Sequence, residues 1–261
     1  MAAAQLLDPL PILAVVAVFA LITMGCYEAG FRIGRWWQDR MPGEQEGPTG
    51  MLVGSILALL AFLLAVTMGM AADRFDARRA VVLDEANAIG TTYLRAGYLP
   101  EPASSEIRQL LREYVPLRLT ITKPDHTDAD TARSVAIQGA LWRSAENVAR
   151  TTDQGDLVSL FIESLNDVID LHETRITKRD GRVPETIVLL LIGGSALSLG
   201  MTGYSAGLTR RRSLLSAVVL IVALGAVIAI VVDLDRPREG FIQVSQQPLI
   251  DLQRTIGPPS P

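Results

Sequence analysis

Charge is absent from four stretches of this chain and dense between them. Residues Pro9 to Tyr27, Gly47 to Ala72, Thr186 to Thr209 and Ser213 to Val232 carry no Asp, Glu, Lys or Arg. As helices rising about 1.5 Å per residue, all four are long enough to cross a hydrocarbon layer about 30 Å thick. The pattern predicts an all-α membrane protein with four transmembrane helices in two hairpins, at about 9–29 and 50–72, then 186–206 and 213–232. Residues 1–72 make the first hairpin and 185–232 the second. Residues 73–184 form a helical extramembrane domain between spans 2 and 3, and 233–261 a C-terminal extramembrane tail.

The second span is expected to be continuous with a long helix of the domain. From Met51 to about Ala96 there is no proline, and Gly54, Gly69 and Gly90 stand alone. Asp73, Arg74, Asp76, Arg78 and Arg79 mark the exit from lipid. Gly97 and then Pro100 supply stop chemistry, a residue tolerant of positive φ followed by one without an N–H. Three further helices are predicted. One runs from Ser104 or Ser105 to about Leu119, with Pro116 kinking its last turn. Another runs from Asp128 or Asp130 to about Arg150. The third begins near Asp156, where Leu157, Phe161, Leu165, Val168 and Ile176 recur at helical spacing. In the tail, Phe241 to Ser245 reads as a short β-like run and Gln246-Gln247-Pro248 as the start of a small amphipathic helix, with Leu249, Ile250 and Leu252 inward. Gly257 to Pro261 reads as a frayed end.

Composition narrows the function. The formal net charge is −4 and no basic patch is interleaved with aromatics, so nucleic acid is not an expected partner. Cys26 is the only cysteine, which leaves neither a disulfide framework nor a thiolate metal site. His172-Glu173 opens like a zinc-protease helix, but Ile176 stands where a second histidine must face the same metal, and the other histidine is His126. Gly193-Gly194 lies inside the third span without a following lysine, and Gly-x-Ser-x-Gly does not occur. Neither an enzyme nor a cofactor is expected. Met1 to Asp8 contains no Lys or Arg, and the apolar run after it exceeds a signal-peptide core, so the first span is expected to be retained.

The run Met70-Ala-Ala-Asp73-Arg74-Phe75-Asp76-Ala77-Arg78-Arg79 resembles the signature that follows the pore helix of bestrophin anion channels. There too an Asp-Arg pair precedes an aromatic, an acidic residue, a small one and an arginine. With Glu85-Ala86-Asn87-Ala88-Ile89-Gly90-Thr91-Thr92-Tyr93-Leu94-Arg95 and Asp233-Leu234-Asp235-Arg236-Pro237, the chain is similar to a bacterial and plant membrane family described as bestrophin-like. The resemblance implies a homo-oligomer, a pentamer by preference, whose second spans surround a pore for small anions such as chloride. It places Ala58, Phe62 and Val66 at a narrow apolar neck, with Met70 next along the pore wall. Residues four apart share a helix face, and an apolar constriction gates by dewetting. Plain helix packing explains the same spacing. Asn87 and Thr91 are either a vestibule patch offering N–H and O–H dipoles to an anion or part of an inter-helix hydrogen bond. Animal bestrophins bind calcium with a dense acidic run after the last span, and Asp233 and Asp235 invite that comparison without reproducing the run. Ion pairs at the membrane edge, drawn from Asp73, Arg74, Arg78, Asp233, Asp235 and Arg236, with Arg238 close by, are the favoured reading.

Two questions stay open in the sequence. Arg32, Arg35, Arg40 and Arg210 to Arg212 lie in short loops, which by the positive-inside rule places the large domain outside. The resemblance places it in the cytoplasm, beneath a bacterial inner membrane, and that side is preferred. The expected partners are therefore the bilayer, small anions and further copies of the chain. The alternative is a non-conducting scaffold or sensor whose domain binds a partner while the helices anchor it. Spans without charge suit an anchor and a dewetting pore equally.

Overall fold

The computed structural model describes residues 11–41, 46–120, 128–153, 155–236 and 240–258, without the side chains of 46–48 and 180. Pro9, His126, Pro237, Arg238 and the last residues of the tail lie outside the described residues. Among the described residues the elements are helices throughout: α1 Ile12–Arg40, α2 Glu46–Arg95, α3 Ala103–Thr120, α4 Asp128–Thr151, α5 Gly155–Asp180, α6 Glu185–Leu208, α7 Leu214–Asp235 and α8 Gln247–Ile256. Helices α1, α2, α6 and α7 are long and apolar enough to cross a membrane.

Helix α2 is unbroken over 50 residues, about 75 Å at the rise of an α-helix. A 3-10 turn, Ala96–Tyr98, closes it where Gly97 was expected to stop it. Pro116 lies inside α3, which continues past it to Thr120. Phe241 to Ser245 is irregular rather than β-like: the N–H groups of Phe241 and Ile242 are taken by the Asp233 carboxylate, so no neighbouring strand receives them.

The chain divides into two compact units, Met1–Arg74 with Arg182–Ile242, and Phe75–Gly181 with Gln243–Pro261. In the first, α1 packs along α6 and α7. Its closest seam is built from glycine. A Cβ on Gly30 or Gly34 of α1 would drive into the backbone of Gly200 or Tyr204, and one on Gly203 or Gly207 of α6 into that of Tyr27 or Phe31. Lipid tails are as apolar as leucine, so backbone approach and side-chain interlocking hold such helices together rather than escape from water. Phe19, Leu60, Leu64, Leu191, Leu199, Leu224 and Ile228 fill the remaining interior.

In the second unit α3 packs on α4 and α8, and α4 on α5. Val82, Ala86 and Ile89 of α2 meet Ile107 and Leu111 of α3, Leu141 of α4, Phe161, Leu165 and Val168 of α5, and Leu249 of α8. Burial of each large apolar side chain here contributes about 1.5–3 kcal/mol. The tail is shared between the two: residues up to Ile242 belong to the first unit, and Gln243 onward, including α8, to the second.

Candidate functional site

Along the apolar part of α2, Leu60, Leu64, Thr67 and Ala71 are buried. Ala58, Phe62, Ala65, Val66 and Gly69 form the opposite, exposed face. Phe62 is 65% exposed and Val66 47%, a large apolar pair that this chain alone does not cover. Met70 is half-buried, at the margin of that face. Helix geometry is the reason. A four-residue step overshoots a full turn by about 40°, so three steps from Ala58 carry Met70 roughly 120° around the axis. The exposed track mixes four- and three-residue steps instead: Ala58, Phe62, Ala65, Gly69, Asp73, Asp76, Ala80, Leu83, Asn87 and Thr91 are all exposed.

In the second unit this track borders a groove. Helices α2 and α5 are joined by the Thr92 hydroxyl, 2.9 Å from the Ser164 carbonyl oxygen, and by Arg95 Nη1, which donates to the Leu160 carbonyl at 2.5 Å. The inter-helix bond that the sequence allowed near Asn87 is thus made by Thr92. Beside the seam lies a groove of about 590 Å³, lined by Asp84, Asn87, Thr91 and Arg95 of α2 and by Glu163, Asp167 and Asp170 of α5. Asn87 and Thr91 are brought together there. Their setting is anionic, with four carboxylates facing one guanidinium that itself lies 3.6 Å from Glu163.

At the charged edge, Asp73 is exposed, Arg78 is buried and Arg74 Nη1 donates to the Met70 carbonyl at 3.3 Å. The Asp233 carboxylate accepts the N–H groups of Phe241 and Ile242, both at 2.9 Å. Asp235 Oδ1 accepts the Val183 N–H at 2.8 Å. A carboxylate at a helix C-terminus meets the negative end of the dipole, and these charge-assisted N–H bonds offset that penalty. Gly240, at φ +146°, sits so close to Asp233 that a Cβ would strike the carboxylate. Asp233 and Asp235 therefore fasten the backbone at either end of the second hairpin. Arg236 is buried and caps α7 through its own N–H. Among the described residues no cluster of three or more potential metal ligands occurs.

One charged constellation was not anticipated. Glu85 of α2, Arg118 of α3 and His172 of α5 are each at most 1% exposed, and Arg175 is 5% exposed. Glu85 pairs with Arg118 through one oxygen and with Arg175 through the other. Arg118 Nη1 lies 2.8 Å from His172 Nδ1, Tyr114 Oη 3.3 Å from the same nitrogen, and Gln138 Nε2 donates to Tyr114 Oη at 3.0 Å. Arg175 Nη2 donates to Gln246 Oε1 at 2.6 Å. Burial, then the Arg118 and Arg175 charges, push the His172 pKa from 6.5 down to about 4. Burial likewise raises Tyr114 to about 12 and lowers Arg175. The signal was present in the chain: Glu85 falls in step with Val82 and Ile89, Arg118 with Leu111 and Tyr114, and His172 with Leu165 and Val168. That register marks the charges as facing inward; which of them meet is decided by how the helices pack.

Comparison with known proteins agrees with this architecture. A family model described as a Bestrophin-like domain matches residues 11–249. A crystal structure of a bacterial bestrophin homologue from Klebsiella pneumoniae bearing a tryptophan-to-alanine mutation superposes with a TM-score of 0.69 at 14% identity, covering 94% of this chain and 95% of that one. A second structure of the Klebsiella homologue gives 0.65 at 13% identity, covering 94% and 95%. At such identities the likeness establishes a shared fold. No curated protein matches the chain.

Proposed function

Because the chain belongs to the Bestrophin-like family, we propose that it assembles as a homo-oligomer and conducts small ions along an axis faced by the exposed track of α2. The observation that carries this reading is the uncovered run Ala58, Phe62, Ala65, Val66 and Gly69. Its small residues allow close helix approach between copies, and Phe62 and Val66 supply an apolar neck that can gate by dewetting. A pentamer and a domain on the cytoplasmic side of a bacterial inner membrane follow from the resemblance.

Native mass spectrometry of the detergent-purified chain should give one discrete oligomer, and planar bilayers should show unitary currents that rise in Phe62→Ala as the neck widens. A monomer without current in either version supports the non-conducting scaffold instead. The resemblance points to chloride as the ion. One observation favours a cation: the groove beside Asn87 and Thr91 holds Asp84, Glu163, Asp167 and Asp170 against Arg95 alone. A wall of that sign concentrates cations and repels anions. The reversal potential in a sodium chloride gradient distinguishes the two by its sign.

A further inference from the structure

The last turns of α1 are two-faced. Glu28, Arg32, Arg35 and Asp39 follow at steps of four and three and share one side. Glu28 pairs with Arg32 at 3.0 Å and with Arg212, and Asp39 pairs with Arg210. Ala29, Ile33, Trp36 and Trp37 occupy the opposite side, where no charge stands before Arg40. Large apolar side chains are left uncovered there: Ile33 is 57% exposed and Trp36 48%. The same side opens on a groove of about 520 Å³ between α1 and α6, both helices of the first unit. At the seam of Gly30 and Gly200 backbone meets backbone, so no side chain fills the gap. Cys26 and Ile33 of α1 and Leu197 and Met201 of α6 flank it, and no lining residue is charged.

The dimensions and the charge of this face select its occupant. From Cys26 to Ile33 the groove runs about 10 Å along the helix axis. That is most of one leaflet of a hydrocarbon layer about 30 Å thick, and only a third of the whole. An acyl chain entering from the headgroup level fits such a length, whereas a helix of a second copy packed alongside would run its seam through both leaflets. Toward the short loops, Ile33, Trp37 and Arg40 follow on the groove's side of α1. Tryptophan rings settle at the headgroup level of a bilayer. The Arg40 guanidinium lies 4.1 Å from the centre of the Trp36 ring and forms no ion pair among the described residues. A cation held at that depth without a counter-charge matches an anionic headgroup.

We propose that this groove binds one anionic phospholipid per chain, its acyl chain laid between α1 and α6 and its headgroup met by Arg40. The site lies apart from the exposed track of α2, so the inference stands whether or not the chain conducts. The full chain in detergent is titrated with phosphatidylglycerol or phosphatidylethanolamine, and bound lipid is counted by native mass spectrometry. One phosphatidylglycerol per chain should be retained, and Arg40→Gln should cut its preference over phosphatidylethanolamine about fivefold. Gly200→Leu should remove the bound lipid. A Cβ there meets the Cys26 carbonyl at an ordinary 3.6 Å, so the new side chain fills the groove without parting the helices. Gly193→Leu, on the same helix with nothing within 4 Å of its Cβ, should keep it. If Gly200→Leu does not fold, Ala29→Trp closes the groove from its exposed rim. Equal retention of the two lipids by the unaltered chain, or lipid that survives the filled groove, overturns the proposal. A filled groove that changes the number of copies and not the lipid content would mean that a second copy sits there, and refutes it too.

Discussion

Glu85 is bonded through one oxygen to Arg118 and through the other to Arg175, and all three side chains are shut away from water. Removing one member of a buried ionic group leaves its partners charged and unmatched, typically at 3–5 kcal/mol or so. Glu85→Gln is therefore expected to lower the melting temperature by on the order of 10 °C, and a shift below about 2 °C would show that the arginines are solvated after all. His172 makes the same cluster sensitive to pH. Its pKa in the folded chain, about 4, lies below the 6.5 of an exposed imidazole, so between those values the unfolded state binds more protons. The stability this confers is complete above about pH 6.5 and drains away as pH falls toward 4, by roughly 3 kcal/mol in all. Urea midpoints taken from pH 7.5 to 4.5 should fall accordingly, and His172→Gln should flatten the curve.

Among the elements, α1 and α6 depend on having no side chain where their backbones meet. Gly203→Ala places a methyl against the Tyr27 carbonyl, which cannot swing aside as a side chain would. A loss of about 1–3 kcal/mol is expected from that overpacking, read as a lower melting temperature in detergent. Gly193→Ala, on the same helix with nothing within 4 Å of its Cβ, should be neutral. Helix α2 shows how a face drifts when its period is rounded to four. Steps of four lead to Met70, whereas the mixture of three- and four-residue steps that stays near 3.6 residues per turn passes through Gly69, Asp73 and Asp76. The three-helix charge cluster was overlooked for a related reason. Glu85, Arg118, His172 and Arg175 look like solvated charge when each helix is read alone, and only their common register with apolar neighbours sets them apart.

Across the whole molecule, the side on which the large domain lies separates the two rules that bear on it. In a Cys26→Ser background, Glu173→Cys and Arg211→Cys are exposed positions on either side of one span, α6. With the domain in the cytoplasm, an impermeant maleimide added to intact cells labels position 211 and reaches 173 only after lysis. The reverse pattern would mean that the arginines of the short loops set the orientation.

The four spans, the unbroken α2 and the helical character of the domain were all legible in the chain, because each is a local consequence of where charge, proline and glycine occur along it. Asn87 and Thr91 were legible as neighbours, one helical turn apart on a single face. What surrounds them was not, since Glu163, Asp167 and Asp170 arrive from a helix far along the chain. The same holds for the backbone N–H groups bonded to Asp233 and Asp235, which carry no mark in the sequence. It holds most of all for the Glu85 cluster. Local periodicity decides which residues face inward, but whether an inward charge finds its counter-charge depends on how separate helices close upon one another, and tertiary packing alone determines that.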